Sequence, residues 1–313
     1  MASLEKFGLD VGIYGANALP ETVLRLATLA EDAGFGSIWL ADHVAFPVTF
    51  KSEYPYAAKG QFPTKLDDPL LEPVATMGVL VGATNRVRIG VAVLIMPYRN
   101  PLLLARMLAT LDTFSGGRID LGAGVGWLEE EFEALGSRDF ARRGKVTDEA
   151  IEIFKAVCAG GEVGYQGETY AFDPIYANPG SIQRPHPPVM IGGLTNPALR
   201  RVARHGTGWL AVMAAPEKLT ERLAKLRALM ADAGRSFDDL SLHYKMFLDI
   251  DKPKHNTDGV REPGTGTKAE IIDDLKRLFD LGFHNIIVRY RGDSADELTR
   301  QIDNFVSDIV PKV

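Results

Sequence analysis

Eight times along this chain a short apolar run suited to a buried strand is followed by a longer run of helical period, and that alternation leaves few folds open. The strand-like runs are Phe7 to Ile13, Ser37 to Leu40, Val87 to Leu94, Ile119 to Gly122, Val189 to Ile191, Gly208 to Val212, Leu242 to Ile250 and Asn285 to Val288. The helical runs between and after them begin with Glu21 to Ala33 and close with Asp296 to Ile309. The strands show little polar alternation, as expected of a parallel sheet covered by helices. The pattern predicts an α/β fold, one (β/α)8 TIM barrel domain over residues 1–313, with its active site at the C-terminal ends of the strands. The rival is an open doubly wound sheet, which shows its glycine fingerprint at the first βα turn. Here that turn reads Gly12-Ile13-Tyr14-Gly15-Ala16-Asn17, a different pattern.

Two stretches have no clean period: Val44 to Pro69, rich in Pro, Tyr and Phe, and Gly160 to Pro188, with room for short hairpin pieces. Counted as insertion loops after strands 2 and 4, both are expected at the active-site face, as lids or binding elements. A net charge of −6 argues against a nucleic-acid partner. No apolar stretch is long enough to span a bilayer. The opening MASLEKFGLD has no secretory apolar segment, so a cytoplasmic location is expected. The lone cysteine, Cys158, excludes an intrachain disulfide or a thiolate cluster and reads as core packing.

Several segments at strand ends carry candidate chemistry. Asp42 and His43 follow the second strand, where a histidine can serve a reacting oxygen; alternatively they cap a loop. Gly122 to Trp127 follows the fourth strand. Gly124 and Gly126 would let the backbone approach a flat ligand with Trp127 as a wall, or would form a tight turn. Gly192, Gly193, Leu194, Thr195 and Asn196 follow the fifth strand and open a helix, which makes a phosphate cradle or a plain helix cap. Arg99 and Asn100 could hold an anion, or the arginine is a surface residue. Glu129, Glu130, Glu131 and Glu133 read as a solvated helix face, and no metal is required. His205 reads as a cap or packing residue. Phe46, Phe50, Tyr54, Tyr56 and Phe62 give the first insertion an aromatic surface, suited to an apolar or planar small organic substrate or to packing the loop.

Taken in order, WLADHV from Trp39, YPY from Tyr54, FPT from Phe62, PYRNPLLLA from Pro97, TLDTFSGGRIDLGAGVGWLEEEFEALG from Thr110, RRGKVTDEAI from Arg142 and ALRRVARHGTGW up to Trp209 resemble the bacterial luciferase-like superfamily. The likeness runs over nearly the whole chain and is closest to its coenzyme F420 (deazaflavin)-dependent oxidoreductase branch. The resemblance implies a (β/α)8 barrel with insertions and a cofactor, F420 or alternatively FMN, lying across the barrel mouth. It implies a non-prolyl cis peptide at Ala92-Val93 behind the ring, and a phosphate end held by Gly192 to Asn196. Asp42 and His43 would meet the reacting region, with His43 handling a proton and Asp42 orienting it. The implied reaction is hydride transfer between C5 of the deazaflavin and an organic substrate. FMN-dependent monooxygenation and a non-catalytic flavin-binding barrel are the alternatives, and a homodimer is the expected assembly.

Overall fold

Charged and aromatic side chains on alternate strand positions show which face of each strand turns inward. Trp39 packs with Ala92, Met190, Leu210 and Ile287 in a cluster separate from the main core. A Cβ on Gly8 or Gly90 would lie within 2.7 Å of the Trp39 ring, so glycine on the flanking strands makes the space that the indole fills. These residues lie inside a barrel, and the larger core lies between the strands and the helices around them.

The computed structural model describes residues 3–55, 65, 67–137, 140–255, 259–290 and 294–313. Its barrel strands are β1 (Phe7–Asp10), β2 (Ser37–Leu40), β3 (Arg88–Ile95), β4 (Ile119–Gly124), β5 (Val189–Gly192), β6 (Gly208–Val212), β7 (Ser241–Ile250) and β8 (Asn285–Tyr290). Each pairs in parallel with the next, and β8 pairs with β1 to close the ring. The (β/α)8 expectation is therefore met. The helices are α1 (Pro20–Ala33), α2 (Pro73–Ala83), α3 (Pro101–Ser115), α4 (Glu129–Ala134), α5 (Arg143–Ala159), α6 (Asn196–His205), α7 (Pro216–Asp232), α8 (Lys268–Asp280) and α9 (Ala295–Asn304).

Some boundaries differ from those read in the sequence, for local reasons. Helix α1 starts one residue earlier, on a proline whose missing N–H costs nothing in the first turn. Strand β1 stops at Asp10 instead of running to Ile13, because the Asp10 carboxylate accepts from the Gly12 amide and turns the chain. The last helical run leaves α geometry after Asn304 and continues as a π segment, Phe305–Ile309.

The second irregular stretch corrects an expectation. It follows α5, which runs back along the barrel, and so lies away from the active-site face. It forms an antiparallel hairpin, Glu162–Gln166 with Ala171–Tyr176. It then passes under the N-terminal strand ends, where Gln183 bonds Asp112 and the Ile119 carbonyl. The part of the β4 insertion that does sit at the mouth is the segment carrying α4.

Candidate active site

His43 leaves the end of β2 with its ring buried, 6% exposed. Its Nδ1 lies 2.7 Å from Glu131 Oε2. The Tyr98 hydroxyl donates to the same oxygen at 2.8 Å, and the Val44 and Ala45 amides donate to Oε1 at 2.6 and 3.1 Å. Burial pushes the Glu131 carboxyl up, but the His43 bond and the two amides outweigh it and hold it below the ordinary range. An ionised carboxylate only accepts, so Nδ1 is a ring nitrogen that carries a proton. Behind Glu131, Ile95, Tyr98 and Phe132 form an apolar cluster.

The acidic run of α4 is thus a solvated face only in part: Glu129 and Glu133 are exposed, as expected, but Glu130 and Glu131 are engaged. Glu131 is fully buried under the mouth, and Glu130 accepts from the Lys51 amide and from both the amide and the hydroxyl of Ser52. Successive helix positions do point different ways, as expected. The surface they meet, however, is the loop after β2, which brings donors to two of them.

Asp42 also has a different partner from the one expected. Arg99 grips it with both terminal nitrogens at 2.7 and 2.9 Å, and the Ile95 amide donates to it at 2.7 Å. Asp42 ties β2 to the end of β3, and the carboxylate hydrogen-bonded to His43 is Glu131. Burial drives the Asp42 carboxyl upward despite Arg99. Arg99 is further engaged by Glu72, and Asn100 caps α3 through the Leu103 amide, so neither serves as the anion holder first considered.

Next to this pair β3 bulges between Val91 and Leu94, and the Ala92-Val93 peptide is cis. A Cβ on Gly124 would lie 2.3 Å from Val93 Cγ2, and one on Gly192 2.5 Å from Cγ1. The glycines ending β4 and β5 therefore make room for Val93, and together they form a small-residue bed at the mouth. Gly126 packs where a Cβ would strike Phe132 and Ile95. The Trp127 ring stands 6.0 Å from His43 and 5.2 Å from Tyr54, and Phe46 lies 4.7 Å from His43. The structure brings His43, Phe46, Tyr54 and Trp127 together; Tyr56 and Phe62 lie outside the described residues.

At the end of β5, Gly193 adopts φ 115°, a conformation that side chains with a Cβ rarely adopt. Its N–H bonds Leu210 and its carbonyl accepts from Trp209 Nε1 at 2.8 Å. Any amides offered to an anion here come from Leu194, Thr195 and Asn196. Thr195 is the N-cap of α6, and Asn196 accepts from Arg222 at 2.9 Å. His205, at the other end of that helix, is buried as expected.

A third group escaped the sequence reading. Asp10, Lys245 and Arg289 stand on inward positions of β1, β7 and β8, with Lys245 Nζ 2.6 Å from Asp10 and bonded to the Ala92 carbonyl at 2.9 Å. Burial would raise the Asp10 carboxyl, but Lys245 and Arg289 hold it below its ordinary range. The available signal was a charge interrupting an apolar strand near its C-terminal end, as in Asn285-Ile286-Ile287-Val288-Arg289. At the opposite end of the barrel a cavity of about 490 Å³ is lined by Ser37, Arg88, Asp120, Ser241 and His243 among others. Among the described residues no group of three or more His, Cys, Asp or Glu could hold a metal ion, and no helix is long and apolar enough to cross a membrane.

A flat bed, an aromatic wall and a helix start beyond it form a set that a planar ring with a phosphorylated tail fits. Comparison with known proteins identifies the family. Residues 7–254 match the family model described as luciferase-like monooxygenase. An uncharacterized protein of Mycobacterium tuberculosis is 30% identical over 298 residues, 93% of this chain and 95% of the relative. An F420-dependent glucose-6-phosphate dehydrogenase of Microbacterium testaceum is 31% identical over 265 residues, 82% of this chain and 68% of that protein. Among solved structures, an F420-dependent secondary alcohol dehydrogenase in complex with an F420-acetone adduct superposes with a TM-score of 0.79 at 18% identity, covering 98% of each chain.

Proposed function

The chain belongs to the luciferase-like monooxygenase family, and on that premise we propose that it is a coenzyme F420-dependent oxidoreductase acting on a small organic substrate. The observation that carries this reading is the buried His43–Glu131 pair beside the Val93 bed. When bound, the deazaflavin supplies a carbon, C5, that accepts or gives a hydride. Ala92, Val93, Gly124, Gly126 and Trp127 would hold the ring, and Gly192 to Asn196 its phosphate.

Oxidising an alcohol removes a hydroxyl proton along with the hydride, and that proton needs an acceptor at the site. Glu131 accepts the Nδ1–H and so orients the His43 ring; Nε2 takes the proton and returns it in the reverse direction. Glu131 stays ionised throughout, as an orienting carboxylate does. Asp42, through Arg99 and Ile95, holds the strand ends that position His43 against the bed. Phe46, Tyr54 and Trp127 exclude water from the substrate side. The F420-dependent relative supports this choice of cofactor.

The deciding experiment titrates F420 and FMN side by side into the purified protein, followed by their distinct absorbance bands. F420 is expected to bind at least about tenfold more tightly, and its band to bleach when an oxidisable alcohol is turned over. Tighter binding of FMN, with oxygen consumed by the reduced protein, would overturn the assignment in favour of a monooxygenase. Binding of either cofactor with no turnover would leave a flavin-binding barrel.

A further inference from the structure

The three charges inside the C-terminal end of the barrel do not balance. Asp10 is one carboxylate facing two cations, Lys245 Nζ at 2.6 Å and Arg289 Nη1 at 3.7 Å. Lys245 is the closer and has a second acceptor in the Ala92 carbonyl. The Arg289 side chain is only 9% exposed, yet its one hydrogen bond among the described residues goes to the Tyr14 hydroxyl at 2.9 Å. The Tyr14 ring lies 4.4 Å from the guanidinium carbon and Phe247 6.0 Å away. Aromatic faces steady the plane of the group but accept none of its N–H bonds. Among the described residues none of its nitrogens is both buried and without a partner, so those not bonded to Tyr14 keep contact with solvent. A guanidinium has five N–H donors, and those the protein does not use here are left to water or to a ligand that brings acceptors. The fork matches the two oxygens of a carboxylate or phosphate.

We propose that Arg289, backed by Tyr14 and Lys245, seats an oxyanion of the substrate, so that the substrate is an alcohol or carbonyl compound bearing a carboxylate or phosphate. Tyr54, which interacts electrostatically with Arg289 and packs on Trp127, connects this seat to the aromatic wall beside His43. One end of the substrate would be held by charge, and its apolar body would lie under the rings. The inference rests on the reading of this mouth as the site of an oxidoreductase.

The test titrates benzoate, phenyl phosphate and neutral benzamide calorimetrically into protein loaded with F420 and, separately, with FMN. One or both anions are expected to bind about tenfold or more tightly than benzamide, which a charge-assisted pair can supply. The stronger anion identifies the substrate's acid group. In Arg289→Gln the preference should fall to near unity while cofactor affinity stays within about twofold. Arg289→Lys should retain part of it, and Arg289→Met serves if the Gln variant fails to fold. Equal binding of the anions and benzamide to the wild type, or a preference that survives in Arg289→Gln, would overturn the inference. A preference seen only with FMN loaded would keep the seat and discard the F420 reading. F420 turnover without any anion preference would do the reverse.

Discussion

Each end of the barrel draws an arginine inside the ring of strands, and the two are treated in opposite ways. At the N-terminal end Arg88 is spent: Asp120 takes it twice, and the Gly117 carbonyl, the Ile119 carbonyl and Gln183 use its other donors. At the C-terminal end Arg289 has, among the described residues, one hydrogen bond and a distant carboxylate. A closed set of partners marks a group that holds the fold together, whereas an open set marks one kept for something that arrives later. The carboxylates repeat the lesson. Asp42 is consumed by Arg99 and a backbone amide, whereas Glu131 spends its bonds on presenting a histidine.

The largest effect that could break this contrast is on stability. Arg88→Met strands the buried Asp120 carboxylate and is expected to cost about 3 kcal/mol, the lower end for a broken buried pair because Arg88 is itself partly exposed. Arg289→Met leaves the Asp10–Lys245 pair intact and should stay within about 1 kcal/mol of wild type. Urea unfolding of the two variants decides, and similar losses would erase the distinction between the ends. Next in size, His43→Ala should lower turnover about 100-fold with cofactor affinity near wild type. Steady-state kinetics beside a cofactor titration would show it, and full activity would remove His43 from the chemistry.

The N-terminal end has its own titration. Burial, aided by His284 and Arg88, lowers the His243 pKa to about 4 from the 6.5 it has when exposed. Below pH 6.5 the unfolded chain gains a proton that the native ring refuses until pH 4. Stability therefore falls as pH drops across that window, by at most about 1.4 kcal/mol per unit. His243→Leu should flatten this part of the stability profile, and an unchanged slope would assign it to other groups. The smallest effect is expected from Thr195→Ala. It should lower stability by about 1 kcal/mol through the lost helix cap. It should also weaken phosphorylated cofactor several-fold, roughly 1 kcal/mol, relative to the phosphate-free ring. Equal losses for both ligands in calorimetry would move the phosphate elsewhere.

What was legible in the sequence was local. Strand order, helix order and the aspartate-histidine pair at the end of β2 follow from period and position. The site of the cis peptide came from family likeness, and the bond lies at Ala92-Val93. What was not legible depends on pairing across the ring. Glu131 meets His43 from 88 residues away, and nothing in a run of glutamates says which one turns inward. The charges of Asp10, Lys245 and Arg289 acquire a meaning only when β1, β7 and β8 become neighbours. The second insertion was assigned to the wrong end because α5 comes between it and β4, which reverses the direction of the chain.

The loop after β2 is fastened at its root by one short helix: Glu131 of α4 holds the amides of Val44 and Ala45, and Glu130 holds those of Lys51 and Ser52. The aromatic residues Phe46 and Tyr54, proposed to face a substrate, ride on this loop, while His43, proposed to handle the proton, sits at its start. Descendants of this chain can thus exchange the loop's rings, and with them the range of molecules admitted, while the clasp keeps the histidine in place. On the proposed function, selectivity and chemistry are inherited on adjacent but separable lengths of sequence.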